Sequence, residues 1–377
     1  MPSIFVTEEP EIKSEYKPKV MDASLRKLDR QPRFDAMRLL GIFLIIIAHT
    51  NLPMWLYTLR DFGTPLLVVT SSLTFGYIYS RREFNYGEFV KKRAGRLLLP
   101  TYAFLTIFVG SFSLLWMAFG KVPPFEAGEV LKGYLLMGGS CQYLWIIKIY
   151  LILALITGVC RWVDKRVENL KTLALAGGVY WALYETAWLF FSVGVPEGAF
   201  FEVAQKWIFE ALGYLPFFVY GLRLERIKSS TIAWSGSVAL VVALGLGAIY
   251  WNETGSFVPT DDYRWPPQLY YFSYAFACVN FVYLAFRYAK TDWAQTPVAR
   301  WLSAQALWIY LWHAMGYYLW MYGVKQFPEN NLGESLVMLT WLLGFGIGMT
   351  VLQNAALERL LPRLKPATAK WVRVVFG

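Results

Sequence analysis

Long apolar stretches recur along the whole chain, and they limit the folds open to it more than any other feature. Crossing the roughly 30 Å hydrocarbon core of a bilayer takes about 20 helical residues at 1.5 Å per residue. Apolar residues make up 56% of the 377-residue sequence and charged residues only 16%. The sequence therefore predicts an all-α, polytopic membrane helix bundle with about ten transmembrane helices. The predicted spans cover residues 38–58, 62–80, 97–118, 143–161, 172–194, 206–222, 231–251, 267–287, 301–324 and 334–354.

The placement of basic residues predicts an orientation for these helices. Loops on the cytoplasmic side of a membrane carry an excess of lysine and arginine. With the N-terminus inside, most of the 36 lysines and arginines fall in cytoplasmic segments. The exceptions are Lys148 within the fourth span and six residues outside, namely Arg60, Lys121, Lys132, Lys206, Arg264 and Lys325. We therefore expect a multi-pass protein of the cell (inner) membrane with both termini in the cytoplasm.

The polarity of the chain divides it into three parts. Residues 1–33 are polar and predict a flexible cytoplasmic N-terminal tail, residues 34–356 form the transmembrane domain, and residues 357–377 form a cytoplasmic C-terminal tail. Topology and attraction to anionic lipid explain the net charge of +10, so we predict membrane lipid and no nucleic acid as a partner. Three scattered cysteines indicate packing residues and predict no metal site.

The chain has only two histidines, His49 and His313, and both lie inside predicted spans. Imidazole titrates near neutral pH, and ionisable groups at membrane depth usually serve a function. If the first span is one helix, Asp35, Arg38 and His49 share a face, because eleven residues make almost three turns. The pattern predicts proton chemistry within the membrane. In the alternative interpretation, Arg38 is an interfacial anchor and the histidines are hydrogen-bonded packing residues.

Several motifs, in order along the chain, resemble those of the acyltransferase 3 family of integral membrane acyltransferases. In RFDAMRLLGIFLIIIAHT, ten residues separate Arg38 from His49, which is similar to the family's opening Arg-x10-His signature. In the second span Ser71 matches the serine of the usual Ser-Gly-Phe, although Ser72 and Leu73 replace the other two residues. The further matches are KKRAGRLLLP with Arg93, Arg96 and Pro100, QYLWIIKIYLILAL, LPFFVYGLRL, and SAQALWIYLWHA with Ser303, Tyr310 and His313. Residues 34–356 are thus identified as an acyltransferase 3-like transmembrane domain.

The resemblance implies a membrane-bound O-acyltransferase. Such an enzyme moves an acyl group, which we expect to be acetyl, from cytoplasmic acyl-CoA to a hydroxyl of a cell-envelope or exported glycan or glycolipid. Its partners are acyl-CoA and a glycan or lipid-linked sugar acceptor. Arg38, Arg93 and Arg96 are the expected acyl-CoA ligands, because guanidinium groups bind phosphates bidentately. We expect Arg93 and Arg96 at a helix start, where the dipole also favours anions. Alone, an Arg-x-x-Arg pattern indicates only a basic cytoplasmic flank, and the family resemblance favours the CoA-binding interpretation.

Acyl transfer assigns further roles to the site residues. A sugar hydroxyl must lose its proton as it attacks a thioester, which suits His49 as general base. We expect His313 or Tyr310 to stabilise the oxyanion or orient the acceptor, and Asp35 to hold Arg38 one turn away. A covalent acyl-enzyme on histidine or serine is an open alternative.

Two other classes of protein fit part of the pattern. In a proton-coupled transporter or flippase of a sugar-containing substrate, the histidines and intramembrane carboxylates relay protons. A non-catalytic scaffold needs neither histidine. Lys148 and Glu185 also lie within predicted spans, where we expect them to face the bundle interior. The two residues either pair with each other or make a functional contact.

Overall fold

The computed structural model describes residues 31–167, 169–323 and 332–377. In these ranges the chain is helical, without a β-strand, which confirms the predicted all-α membrane helix bundle. Residues 1–30 of the predicted N-terminal tail lie outside the described residues. The α-helices are α1 (Pro32–Ile47), α2 (Met54–Leu59), α3 (Gly63–Tyr79), α4 (Tyr86–Ala118), α5 (Ala127–Tyr134), α6 (Trp145–Arg166), α7 (Leu170–Gly194), α8 (Ala199–Ala204), α9 (Glu210–Arg223), α10 (Ser229–Thr254), α11 (Leu269–Tyr288), α12 (Pro297–Ala304), α13 (Ala306–Gly323), α14 (Leu332–Leu360) and α15 (Pro366–Phe376).

Each of the ten predicted spans overlaps one or more helices in the described ranges. In the described part of the chain, five helices are long and apolar enough on their own to cross a membrane. They cover Tyr86–Ala118, Gln142–Arg166, Ser229–Thr254, Leu269–Tyr288 and Leu332–Arg363. Some of the other helices at predicted spans are shorter, such as α1 with 16 residues and α3 with 17. A count of ten membrane crossings therefore stays a prediction.

The first predicted span is not one continuous helix. α1 ends at Ile47, and Asn51 has a left-handed backbone with φ of 50°. Asparagine tolerates this conformation at helix ends, and Pro53 disfavours a helical residue before it. The prediction that Asp35, Arg38 and His49 share one helical face is therefore wrong, since His49 lies in the turn that follows α1.

α4 begins well before the predicted third span. Asn85 caps it by accepting a hydrogen bond of 3.0 Å from the backbone N–H of Glu88. Arg93 and Arg96 consequently lie two to three turns inside the helix. The effect of a helix dipole falls off within the first turn. The prediction that the helix dipole helps these arginines to bind an anion is therefore wrong.

The core of the described residues contains three hydrophobic clusters, and α1 and α3 contribute to the two largest of them. Leu44 and Leu66 belong to the cluster that includes α9 and α11. Ile45 and Leu67 belong to the cluster that includes α4, α6 and α13. The C-terminal end of α1 is therefore packed on two sides, which holds the following turn inside the bundle.

The C-terminal residues also pack on the bundle. The ring of Phe376, in α15, lies 5.7 Å from that of Trp308 in α13. The Phe376 carbonyl accepts a hydrogen bond of 2.6 Å from the side chain of Gln353 in α14. The region predicted as a tail, residues 357–377, thus contains the end of α14 and a further helix held by specific contacts.

Lys148 has a different partner from the one considered in the sequence. Its ammonium is fully buried in α6 and lies 3.1 Å from a carboxylate oxygen of Glu210 in α9. Glu185 instead accepts a hydrogen bond from the backbone N–H of Leu269. Pairing between Lys148 and Glu185 is therefore wrong. A buried lysine needs a close counter-charge, and Glu210 supplies it.

Candidate active site

The two histidines meet inside the bundle although 264 positions separate them in the sequence. The imidazole rings of His49 and His313 stack with centroids 5.5 Å apart and planes within 20° of parallel. The Tyr143 ring, just before α6, lies edge-on to His49 at 4.2 Å. His313 is fully buried, whereas His49 is partly exposed. The turn after α1 and the middle of α13 thus form one imidazole pair.

Hydrogen bonds determine what His313 and Tyr310 can contribute. The Nδ1 of His313 contacts the carbonyl oxygen of Tyr310, and because a carbonyl only accepts, Nδ1 carries the proton. The buried Nε2 has no hydrogen-bond partner among the described residues. The Tyr310 hydroxyl donates to the carbonyl of Tyr143. With neutral His313, neither residue has a free donor hydrogen, so the geometry does not support the expected oxyanion role for either.

Arg38 belongs to a polar cluster at the end of the bundle where α1 begins. Its Nη1 lies 3.1 Å from Asp35 Oδ1 and 3.1 Å from Ser303 Oγ. Ser303, in α12, donates a hydrogen bond of 2.7 Å to Asp35. Asp35 and Ser303 are buried, and about a third of the Arg38 side chain is exposed. The buried pair holds one side of the guanidinium and leaves the other side accessible.

Arg93 approaches the same end of the bundle from α4. Its Nη2 donates a hydrogen bond of 2.8 Å to Ser71 Oγ in α3, and its guanidinium lies 5.5 Å from the centre of the Tyr150 ring. Arg38 and Arg96 are close enough for their charges to interact unfavourably with that of Arg93. Arg96 is exposed. The structure therefore brings together the three arginines predicted to bind acyl-CoA, and a phosphate would relieve their repulsion.

A second group of charges lies beside His49, at the other end of α1. A small cavity is lined by His49, Arg60, Asp61, Thr64 and Arg264, with Trp145 on its apolar side. Asp61 accepts hydrogen bonds of 2.9 Å from Thr260 Oγ1 and 3.2 Å from Arg264 Nη1. Burial raises the pKa of the Asp61 carboxyl to about 6, while Arg264 and Arg60 act to lower it.

The residues of this second group were not among the predicted site residues. Arg60 and Arg264 were predicted as exceptions to the distribution of basic residues. The available signal was the Arg-Asp pair at positions 60 and 61, placed between two apolar segments. Paired opposite charges at such a position are typical of an internal polar site.

Together these features define a helical membrane protein with a histidine pair inside the bundle, three arginines at one end and a small polar cavity beside His49. The family model described as an acyltransferase domain, Acyl_transf_3, matches residues 31–353. The chain belongs to the acyltransferase 3 family and is a membrane acyltransferase. No curated protein and no solved structure matches the chain significantly. The matched range includes both histidines and all three arginines of the site.

Proposed function

We propose that this acyltransferase moves an acyl group, preferentially acetyl, from cytoplasmic acyl-CoA to a hydroxyl of a cell-envelope or exported glycan or glycolipid. The arginine end of the bundle, at Arg38, Arg93 and Arg96, binds the phosphates of CoA. This assignment implies that α1 begins on the cytoplasmic side of the cell membrane. The acceptor reaches the same pocket from the side of the Arg60 cavity.

One observation carries this proposal: the partly exposed imidazole of His49 lines a cavity and stacks on a second, buried imidazole. A purely structural histidine would be expected to have its ring nitrogens satisfied by neighbours. Among the described residues, His49 has ring contacts and no side-chain hydrogen bond. Its nitrogens are therefore available to a substrate hydroxyl.

The proposed reaction follows from the proton positions. His49 removes the proton of the acceptor hydroxyl as its oxygen attacks the thioester carbonyl carbon. The electron pair of the carbonyl moves onto its oxygen, and the C–S bond then breaks as the carbonyl re-forms. The departing CoA thiolate takes the proton from the His49 imidazolium. His313 accepts a hydrogen bond at its free Nε2 from a second hydroxyl of the acceptor and so orients the acceptor.

The test uses the full chain purified into lipid nanodiscs. Acetyl-CoA labelled in the acetyl group is supplied with an envelope glycan extract, and mass spectrometry detects acetylated glycan. We expect His49→Gln to abolish the product, because glutamine has a similar size but is not a base near pH 7. Phe43→Ala is the matched control, since it truncates a residue of α1 that is 39% exposed on the outer face. With the protein reconstituted into sealed vesicles, glycan flux without acetylation would instead support transport.

A further inference from the structure

Arg60 presents unsatisfied hydrogen-bond donors inside the bundle. The residue lies between α2 and α3 and is only 6% exposed. Its guanidinium stacks on the ring of Tyr57 at 3.6 Å, which fixes the plane of the group. Its Nε and Nη2 are buried, and neither has a hydrogen-bond partner in the described ranges. Buried donors without a partner destabilise a fold unless a ligand or water pairs with them.

The neighbouring carboxylate does not satisfy this guanidinium. Asp61 already accepts from Arg264 and Thr260, and its nearest approach to Arg60 is 3.7 Å, at Nη1. At that distance the two side chains form an ion pair without a good hydrogen bond. Thr64 Oγ1, another buried atom in the wall of the same cavity, also lacks a partner within the described residues. Arg264 Nε is also buried without a partner among the described residues, so three side chains place unused donors next to His49.

The size and charge of the cavity identify what these donors can bind. The cavity measures about 20 Å³, which fits one oxygen or a group of similar size. Two arginines, Arg60 and Arg264, face two aspartates, Asp61 and Asp261, so the cluster is neutral when all four are ionised. A permanent anion gains little attraction from a neutral cluster. An oxygen that becomes charged during the reaction gains from preorganised donors.

We propose that Arg60 is the oxyanion donor of this acyltransferase, with Thr64 as a second donor. The inference rests on the proposed function. In the first step the acceptor oxygen bonds to the carbonyl carbon, its proton passes to His49, and the carbonyl electron pair becomes an oxyanion that Arg60 Nη2 binds. In the second step the carbonyl re-forms, the C–S bond breaks, and CoA leaves as the thiol with the proton from His49. Arg60 donates hydrogen bonds and transfers no proton in either step.

The test measures acetyl transfer to envelope glycans by full-length variants in nanodiscs. Removing one oxyanion donor typically lowers kcat by 10²–10³-fold. We expect Arg60→Gln to lower kcat by roughly 100-fold or more, with KM for acetyl-CoA changed less than about threefold, and Arg60→Lys to retain part of the activity. Arg81→Gln is the matched control, because Arg81 also stacks on a tyrosine, Tyr77 at 4.0 Å, but is exposed.

Two additional measurements protect the test against misfolding. Thr64→Val keeps the shape of the side chain and should lower kcat by about tenfold, in keeping with one lost neutral hydrogen bond. In the His49→Gln background, the infrared carbonyl stretch of bound ¹³C-acetyl-CoA should shift to higher frequency when Arg60 is also replaced by Gln. Full kcat in Arg60→Gln, or a rise in KM alone, would overturn the proposal while leaving His49-dependent transfer intact. If the unmodified protein transfers no acetyl group, or if His49→Gln transfers it equally well, both proposals are wrong.

Discussion

His49 and His313 stack ring to ring at 5.5 Å, although one lies in a turn and the other in a helix. Because His313 Nδ1 is committed to the Tyr310 carbonyl, the two imidazoles are not equivalent. The ring nitrogens of His49 make no side-chain hydrogen bond within the described residues, while His313 is held with its Nε2 as the acceptor. The chemistry of the pair should therefore be asymmetric.

Replacing the two histidines tests this asymmetry. We expect His49→Gln to lower kcat by about 10²–10⁴-fold, the usual contribution of a general base. His313→Gln should have a smaller effect and act partly on KM for the acceptor, because the amide can still accept a hydrogen bond. Steady-state acetyl transfer in nanodiscs measures both parameters. Equal loss of kcat in the two variants, with KM unchanged, would contradict the assignment.

The cluster around Arg38 predicts a defect in donor binding. Arg38→Lys removes the planar guanidinium, and a lost charge-assisted hydrogen bond of roughly 1.5–3 kcal/mol should raise the Kd for CoA about 10- to 100-fold. Isothermal titration with CoA measures this change. Arg33→Lys is the control, since Arg33 lies in the same helix but pairs with Glu225. Similar CoA affinity in Arg38→Lys and the unmodified protein would remove Arg38 from the donor site.

Arg93 and Arg96 should differ in their contributions. Arg93 is held by Ser71 and Tyr150, whereas Arg96 is exposed and less ordered by neighbours. A preorganised guanidinium loses less conformational freedom on binding, so we expect Arg93→Gln to weaken CoA binding roughly tenfold or more and Arg96→Gln to have less effect.

Comparing the affinities for CoA and for dephospho-CoA, which lacks the 3′-phosphate, identifies which arginine contacts this phosphate. A variant that has lost its contact with the 3′-phosphate should bind the two ligands equally. The exposed Arg81→Gln serves as control at the same end of the bundle. If Arg93→Gln binds CoA as well as this control does, the arginine cluster is only a charged flank.

The buried pair of Lys148 and Glu210 predicts an effect on stability. Lys148→Met leaves the Glu210 carboxylate buried without its counter-charge, which should cost about 3–5 kcal/mol in the free energy of unfolding. Adding Glu210→Gln should restore much of the loss, because no unpaired charge remains. Thermal unfolding of the solubilised protein measures both variants. A double variant that is no more stable than Lys148→Met would argue against this ion pair.

The sequence predicted the helical class because its apolar segments are long and need no tertiary information to recognise. It could not predict the helix end at Ile47 from hydropathy alone, since residues 38–58 remain mostly apolar across the break. The Asn51 and Pro53 pair contained that information as local backbone preference. Hydrophobicity and local conformation are separate signals, and the first masked the second.

Contacts between distant helices were harder to predict than the helices themselves. Lys148 has two glutamates, Glu185 and Glu210, in the next predicted spans, and only packing decides which of them it meets. The same limit applies to Arg60. Its donors are left without a partner because Asp61 accepts hydrogen bonds from Arg264 and Thr260, which the sequence does not show. By contrast, Asp35 and Arg38 are one helical turn apart, so local geometry was sufficient to predict their contact.

The most direct test is a cryo-electron microscopy structure of the protein in nanodiscs with a non-hydrolysable ketone analogue of acetyl-CoA. We predict CoA phosphates at Arg38 and Arg93, and the ketone carbon within about 6 Å of the His49 ring, since one attacking oxygen must fit between them at near-attack distances. Density for the ketone away from His49, or for CoA away from these arginines, would contradict acyl transfer at this site.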